Sequence, residues 1–404
     1  MKYKIVLINF FYGEFPWYFK FFLKSAGYNP AIDFLLFSDN SVDCYDIPGN
    51  VTFYPSTLEN FNILAREKIG ININIKRPYK VCDFKPCFGL IFQDLIRSYD
   101  FWGFYDIDLV LGDIRNFITD EVLDENDVIS VRHDYPSGFF MLFRNNELVN
   151  NLFRKSKDYK TILLSEDNHC FDECNYKYEF VQSPEDILTI DCETESMLEV
   201  IVKAHREGLI GVFFDFFVIE GTPGKIKFDN GSLTYGNKYE ILLYHFVSMK
   251  DNIFSRFPEW AEIPEIFYID KYSFRKKNNL FARIKGFWIN NFYPRLFIDF
   301  LQFNRFLSGI FFRRKVNKLK PGPYFLGETV FNVVETNKTS TLSDYQGNFN
   351  IYQLMFMPSY FYIDKSPYCY RLIGQNNAFA ENFIEIRSDG NTAKYQLRIP
   401  TENS

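Results

Sequence analysis

The sequence predicts an α/β protein whose first part folds around a mostly parallel central sheet, followed by a basic, aromatic helical segment and a small β-rich module. Three observations support this organisation. Continuous apolar runs alternate with helical patterns through the first 255 residues, as in parallel sheets that helices cover on both faces. Lys, Arg and aromatic residues then dominate as far as residue 320. Beyond Pro321, short aromatic and β-branched runs alternate with turn residues. We therefore expect three parts, 1–255, 256–320 and 321–404.

The composition indicates a folded protein in a reducing compartment. The chain has 404 residues, of which 47% are hydrophobic and 20% aromatic, so it can bury a large core and disorder is excluded. Its seven cysteines form no CxxC pair, which argues against a zinc site or a disulfide framework. No signal peptide and no run of 18 uncharged apolar residues is visible. We therefore expect a cytoplasmic protein, peripheral on a membrane at most.

The first elements alternate between strand and helix. Lys4–Phe10 is continuously apolar and predicts a buried first strand, and Pro16 suits the first turn of a helix that runs to about Ala26. Asp33–Phe37 and Val51–Tyr54 predict the next strands. In such sheets ligands bind beyond the carboxyl ends of the strands. The candidate nucleotide contacts at those ends are Asn9, Phe10 and Asp39, although each is equally suited to closing a turn.

The run Lys80–Arg97 predicts a helix preceded by two charged residues. Its apolar positions, Phe88, Ile91, Phe92, Leu95 and Ile96, have the spacing of a core-facing stripe. Lys85 at the entrance suits a phosphate or a sugar hydroxyl. Asp83 is a candidate for the same donor or, more simply, for a helix cap.

Asp106 and Asp108 flank Ile107 within the run Asp100–Ile114. In an extended strand the two carboxylates point to one face and Ile107 to the other. Paired carboxylates at a strand end suit a hard divalent cation that also binds phosphate oxygens. The alternative is a pair of acids in a loop that follows a strand.

The next candidate residues follow two further predicted strands, Asp127–Val131 and Ser137–Arg144. Gly138 at the start of the second strand would let the backbone approach a bound sugar, or simply form a bend. The run Asn168–Cys174 contains Asp172 and Glu173. One of these carboxylates could act as a general base or orient an acceptor, whereas polar loop residues are more often only solvated.

The run Glu240–Lys250 predicts a strand whose end presents His245, with Lys250 five residues later. A lone His on an apolar strand is more often a core residue. Combined with the paired acids, an imidazole can complete a metal site while an ammonium group binds the same phosphates. Before this strand, Asp229-Asn230-Gly231 predicts a hairpin turn.

Taken together, the opening strand–loop–helix, Asp106 with Asp108, the strand Ser137–Phe143, and His245 with Lys250 resemble the GT-A glycosyltransferases, which have a Rossmann-like fold. The run KPCFGLIFQDLIRSYDFWGFYDIDLVLGDI more specifically resembles a bacterial family of glycosyltransferase-like proteins encoded among genes for capsule and lipopolysaccharide assembly. The resemblance covers residues 1–255.

The resemblance implies a divalent cation, manganese or magnesium, that Asp106, Asp108 and His245 hold against the diphosphate of a nucleotide-sugar. The Gly that usually lies between the His and the Lys of GT-A enzymes is absent here. Asp172 or Glu173 would accept the proton of the acceptor hydroxyl in an inverting reaction, whereas a retaining reaction needs no such base. The expected donor contacts are Asn9, Phe10, Asp39, Asp83, Lys85, Asp106, Gly138 and Lys250.

The segment 271–320 differs in charge from the rest of the chain. It contains 13 Lys and Arg residues, one acid (Asp299) and 13 aromatic residues, within a chain of net charge −6. Pro294 begins a predicted helix with an apolar stripe. A basic amphipathic helix suits an anionic membrane surface, and the alternative is that the stripe packs on the preceding domain. Nucleic acid is not expected as a partner, because the acidic remainder would repel phosphate.

The predicted activity is metal-dependent transfer of a sugar from a nucleotide-sugar, with a UDP-sugar favoured, to a glycan or lipid-linked acceptor in bacterial surface polysaccharide synthesis. The alternative is a non-catalytic GT-A-like scaffold or glycan-binding protein of the same pathway. A nucleotidyltransferase also uses paired acids and metal. It would need a Gly-rich loop near the first strand, where Gly13 stands alone.

Overall fold

The computed structural model describes residues 2–215, 217–252, 254–292 and 294–296 together with their side chains, and the backbone of six strands between residues 322 and 398. The chain divides into two compact units, residues 1–290 and 291–404. All the residues predicted for the site lie in the first unit.

A seven-stranded sheet forms the centre of the first unit. Its strands, in spatial order, are β3 (Val51–Pro55), β2 (Ile32–Ser38), β1 (Ile5–Phe10), β4 (Phe101–Tyr105), β7 (Phe140–Arg144), β6 (Val128–Ser130) and β8 (Val212–Phe214). Strands β1 to β4 pair in parallel, and β7 is antiparallel to both of its neighbours. The prediction of a mostly parallel central sheet in an α/β protein is therefore confirmed.

Helices cover the sheet, and an apolar core fills each face. The α-helices are α1 (Phe19–Ala26), α2 (Leu58–Ile69), α3 (Phe88–Ile91), α4 (Ile114–Phe117), α5 (Asp120–Glu125), α6 (Glu147–Asn150), α7 (Tyr159–Leu164), α8 (Met197–Arg206) and α9 (Leu280–Phe287). Segments of 3-10 helix span Pro78–Cys87, Leu152–Lys155 and Pro184–Thr189, and a π-helical turn spans Trp288–Phe292.

Two smaller sheets extend the first unit. One consists of β5 (Leu109–Leu111), β13 (Leu243–His245) and β9 (Val218–Glu220), in that order. The other is an antiparallel sheet of β12 (Tyr239–Glu240), β11 (Ser232–Tyr235), β10 (Ile226–Asp229), β14 (Ile266–Ile269) and β15 (Phe274–Arg275). Asp229 pairs with Ser232 across the predicted hairpin turn, which is confirmed. Because β14 and β15 follow residue 255, this sheet continues the first unit past the predicted boundary.

The run Lys80–Arg97 departs from the predicted helix. The 3-10 segment Pro78–Cys87 leads into the single-turn helix α3, which ends at Ile91, and a turn follows in which the Ile96 N–H donates to the carbonyl of Phe92. The apolar stripe is nevertheless buried, except for Leu95.

The second unit contains six described strands, which form one sheet. They are β16 (Gly322–Leu326), β17 (Thr329–Val333), β18 (Tyr362–Lys365), β19 (Tyr368–Ile373), β20 (Asn382–Ser388) and β21 (Asn391–Arg398), paired antiparallel in the order β16-β17-β21-β20-β19-β18. The helix predicted to begin at Pro294 lies mostly outside the described residues.

Candidate functional site

The two predicted metal-binding acids lie in the turn between β4 and β5, not on one continuous strand. Asp106 donates its backbone N–H to the carbonyl of Phe139, and the carbonyl of Asp108 accepts from the N–H of Phe246, both at 2.9 Å. Ile107 between them is buried in the core. The turn therefore holds both carboxylates at the carboxyl end of β4, with Asp108 buried and Asp106 half-buried.

The small β5-β13-β9 sheet brings His245 to Asp108. In its register His245 pairs with Leu109 on one side and with Glu220 on the other. The imidazole Nε2 lies 3.3 Å from Asp108 Oδ2, and Nδ1 lies 2.9 Å from Glu220 Oε1. The ring of Phe139 packs on the imidazole with centroids 4.3 Å apart. His245 is thus fixed between two carboxylates by strand register and by an aromatic contact.

Lys250 lies on a helical turn after β13 and donates to Asp108 Oδ2 at 2.7 Å. Burial alone would raise the pKa of Asp108, but hydrogen bonds and charge from His245 and Lys250 hold it well below its usual range. Burial lowers the pKa of His245, but its bonds to Asp108 and Glu220 outweigh burial and raise it to about 9. The carboxylate of Asp108 is therefore the anionic centre of this part of the site.

A series of ion pairs lies on the Nδ1 side of the His245 imidazole. Arg132 donates to Glu220, and its guanidinium also forms a two-bond pair with Asp134 at 2.7 and 2.9 Å. The Glu220 carboxylate is thereby held in position to accept from the Nδ1 of His245. Such outer partners commonly fix the orientation of a ligating imidazole.

Lys85 forms the second part of the site. Its ammonium group lies 2.8 Å from Asp106 Oδ1, 2.5 Å from the carbonyl oxygen of Gly138 and 3.9 Å from Asp172 Oδ2. Burial lowers the pKa of Lys85, but the charge of Asp106 and its hydrogen bond from the ammonium group outweigh burial and raise the pKa well above its usual value. The buried ammonium group of Lys85 therefore contacts Asp106, Gly138 and Asp172, which are far apart in sequence.

Glu173 lies against Gly138. Its carboxylate accepts from the Gly138 backbone N–H at 2.9 Å, from the Cys170 thiol at 3.2 Å and from the hydroxyl of Tyr178. A Cβ atom on Gly138 would lie 2.8 Å from the Glu173 carboxylate and 3.0 Å from Asp172 Oδ2. Glycine at this position thus lets the carboxylates approach the backbone closely.

Asp172 and Asp83 are both buried, with different surroundings. Burial raises the pKa of Asp172 well above its usual range, although Lys85 opposes the shift. Asp83 forms an ion pair with Lys80 at 2.7 Å and accepts from the backbone N–H groups of His169 and Phe171 at 2.8 and 2.9 Å. Both Asp83 oxygens are used within the protein. Asp83 therefore holds the loop at residues 169–171 in place and does not cap helix α3, which has no side-chain cap at its start.

The remaining predicted donor contacts lie at the ends of β1 and β2. Asn9 is buried and donates its amide to the carbonyl of Tyr105, and its Oδ1 has no partner among the described residues. The half-buried ring of Phe10 stacks on Phe37 at 4.6 Å, so it belongs to the aromatic core of this edge. Asp39 accepts from the Gly13 N–H at 2.7 Å and lines a cleft of about 690 Å³.

The donor atoms around Asp108 fit a divalent cation in type. A carboxylate oxygen and an imidazole nitrogen face each other at 3.3 Å, and the carboxylate already binds one ammonium group. In the part of the chain that the structure describes, no three His, Cys, Asp or Glu side chains are arranged as a metal site. A divalent cation bound here could take an oxygen of Asp108 and, once its proton has left, the Nε2 of His245, and phosphate or water would supply the other ligands.

Sequence reasoning missed Glu220, Arg132 and Tyr178 as members of the site. Each stands in an ordinary context, at the end of a short strand or in a loop, and the sequence gives no signal for it. Only the register of β9 beside β13 places Glu220 next to His245.

A model of a family of unknown function, DUF6625, matches residues 7–278 of the chain. No curated protein shows significant similarity to the sequence. Among solved structures, that of the galactosyltransferase LgtC in complex with donor and acceptor sugar analogues is similar at 12% identity, over 54% of this chain and 75% of that chain, with a TM-score of 0.26. In the described residues, no helix is both long enough and apolar enough to span a bilayer.

Proposed function

The chain belongs to the DUF6625 family, and we propose that it is a metal-dependent glycosyltransferase of the GT-A type. It would transfer a sugar from a nucleotide-sugar to a glycan or lipid-linked acceptor in bacterial surface polysaccharide synthesis. One observation carries the proposal. Asp108, His245 and Lys250 meet at the carboxyl edge of the sheet, directly beside the Asp106–Lys85 pair. This edge is where open α/β sheets bind ligands.

The arrangement suits a leaving nucleoside diphosphate. When sugar transfer breaks the bond to phosphate, negative charge develops on the diphosphate, and the ammonium of Lys250 is placed to stabilise it. A bound manganese or magnesium ion would supply further stabilisation of that charge at Asp108 and His245. Glu220 and Phe139 keep the imidazole oriented toward Asp108 throughout.

Asp172 and Glu173 are the candidate residues for contact with the acceptor. Glu173 accepts three hydrogen bonds within the protein, and Asp172 lies 3.9 Å from the ammonium group of Lys85. In an inverting reaction Asp172 or Glu173 would accept the proton of the attacking hydroxyl. In a retaining reaction both would position the acceptor.

Isothermal titration with UDP, GDP and CMP, with and without manganese, tests the proposal. We expect one nucleotide to bind in a metal-dependent manner, with binding lost in Asp108→Asn and kept in Asp94→Asn, whose carboxylate pairs on the surface with Lys68. Asp108→Asn keeps the size of the side chain but removes the charge that faces His245 and Lys250. If the folded wild-type protein binds none of the three nucleotides, the proposal is overturned in favour of a scaffold or glycan-binding protein.

We also propose that the start of the basic segment contacts an anionic membrane. Residues 271–296 contain seven Lys and Arg and no acid. Helix α9 within it exposes Leu280 and Phe281, with 73% and 78% of their surfaces accessible. Exposed apolar side chains on a basic helix suit an anionic lipid surface.

Co-sedimentation with vesicles of phosphatidylcholine alone or mixed with phosphatidylglycerol tests the membrane proposal. We expect binding only to the anionic vesicles, and loss of binding in Phe281→Asp but not in the control Ile63→Asp on α2. Equal binding by the Phe281→Asp variant would overturn the membrane role of α9.

A further inference from the structure

Three tyrosine rings are exposed beside the carboxylates of Asp172 and Glu173. Tyr79 is 68% exposed, Tyr176 51% and Tyr178 37%. Large aromatic rings on a protein surface are a common mark of a binding site, because exposing them to water is unfavourable. We call these three residues the tyrosine platform.

The platform is fixed by its hydroxyl groups. Tyr176 donates to the side chain of Asn168, and Tyr178 donates to Glu173 and lies 2.9 Å from the Cys170 thiol. The polar ends of both side chains are therefore engaged within the protein, which leaves the ring surfaces toward solvent. A ligand that packs on rings already held in place loses little conformational entropy on binding.

The backbone of the same loop adopts an unusual conformation. Cys170, Asn175 and Tyr176 have positive φ values of 52°, 56° and 59°, a left-handed region that non-glycine residues rarely adopt. The Asn175 amide donates to Thr194 Oγ1 at 2.8 Å, which holds the loop in this shape. Strained backbone of this kind is concentrated at ligand-binding sites. In this loop the left-handed backbone of residues 175 and 176 carries the exposed Tyr176 ring.

Hydrogen-bonding groups lie beside the Tyr178 ring. Tyr79 lies in the 3-10 segment Pro78–Cys87, which the hydrogen bonds of Asp83 to the backbone of His169 and Phe171 join to the loop that carries Tyr176 and Tyr178. Tyr135 lies 5.2 Å from the Tyr178 ring. Apolar ring faces beside carboxylate acceptors match a pyranose sugar, which has a C–H face on one side and hydroxyl donors around its edge. Because the neighbouring acids are carboxylates, a neutral sugar fits better than an anionic one.

We propose that the tyrosine platform binds a neutral saccharide, and that this saccharide is the acceptor of the transfer reaction. The acceptor role rests on the proposed function, since Lys85 joins Asp172 on this side to Asp106 on the donor side. Saccharide binding itself requires neither metal nor nucleotide.

Saturation-transfer difference NMR on the metal-free full-length protein tests the proposal. The probes are methyl β-D-galactopyranoside, methyl β-D-glucopyranoside and methyl α-D-mannopyranoside, with glycerol as a polyol without a ring. We expect transfer to the C–H face of at least one glycoside and none to glycerol. Tyr176→Ala and Tyr79→Ala should each weaken binding by about two- to tenfold. Tyr239→Ala, which removes an exposed tyrosine on β12 outside the platform, should leave binding unchanged.

The outcomes separate the two proposals. Lack of transfer to all three glycosides would overturn the platform, whatever nucleotide binding shows. Transfer that persists in Tyr79→Ala and in Tyr176→Ala would also overturn it. Platform-dependent saccharide binding by a protein that binds none of UDP, GDP and CMP would keep the platform and overturn the transferase.

Discussion

Removing the carboxylate of Asp83 should destabilise the first unit severely. Asp83 and Lys80 are both almost completely buried, and their pair at 2.7 Å is supported by bonds from Lys80 to the carbonyls of Ile162 and Asp167. The Asp83→Ala change leaves a buried ammonium group without its counter-ion and two backbone N–H groups without an acceptor. Breaking a buried pair from one side costs about 3–5 kcal/mol, so we expect a loss of this size in the free energy of unfolding.

Urea unfolding followed by tryptophan fluorescence measures this loss, because all four Trp residues lie within the first unit. Two controls separate the causes. Asp94→Ala breaks an exposed pair with Lys68 and should cost at most about 1 kcal/mol. The double change Lys80→Met with Asp83→Asn removes both charges, keeps an acceptor for one of the two backbone N–H groups and should recover part of the loss. A loss below about 1 kcal/mol in Asp83→Ala would show that the buried charge is not the stabilising feature.

Three further predictions concern the site itself. The folded protein holds the proton of Asp172 more tightly than the unfolded chain, so this group stabilises the fold at low pH and the contribution is lost as pH rises through the raised pKa. Urea unfolding should therefore show that Asp172→Asn is more stable than wild type at pH 8 but not at pH 4. An equal difference in the free energy of unfolding at both pH values would refute this prediction. Gly138→Ala should displace Glu173 and lower the free energy of unfolding by about 1–3 kcal/mol. The control Gly49→Ala should leave it unchanged, because a Cβ atom there meets nothing within 4 Å. Equal melting temperatures of Gly138→Ala and wild type would contradict the close approach of Glu173 to Gly138. Lys250→Met should weaken binding of the nucleoside diphosphate by about 10- to 100-fold in isothermal titration and leave binding of the nucleoside unchanged, and an unchanged diphosphate affinity would remove Lys250 from the site.

The sequence predicted the elements that depend on local pattern. The continuous apolar runs at the start correctly predicted β1 and β2, and Asp-Asn-Gly correctly predicted the hairpin of β10 and β11. These succeed because burial on both faces and turn chemistry are properties of neighbouring residues. The helix predicted from the stripe at Phe88 was wrong in length, because one helical turn followed by a turn from Phe92 to Ile96 buries the same apolar positions except Leu95.

The sequence by itself singled out Asp106, Asp108, His245 and Lys250 as candidates for a metal and phosphate site, since their residue types and order are visible along the chain. Tertiary structure decided which of them meet. Strand register, which depends on pairing between distant segments, joins Asp108, His245 and Glu220, and the fold brings Lys85 between Asp106 and Asp172. Tertiary structure also decided the role of Asp83. Its carboxylate pairs with Lys80 and accepts from backbone N–H groups in the buried interior, and only packing of the folded chain brings these groups together.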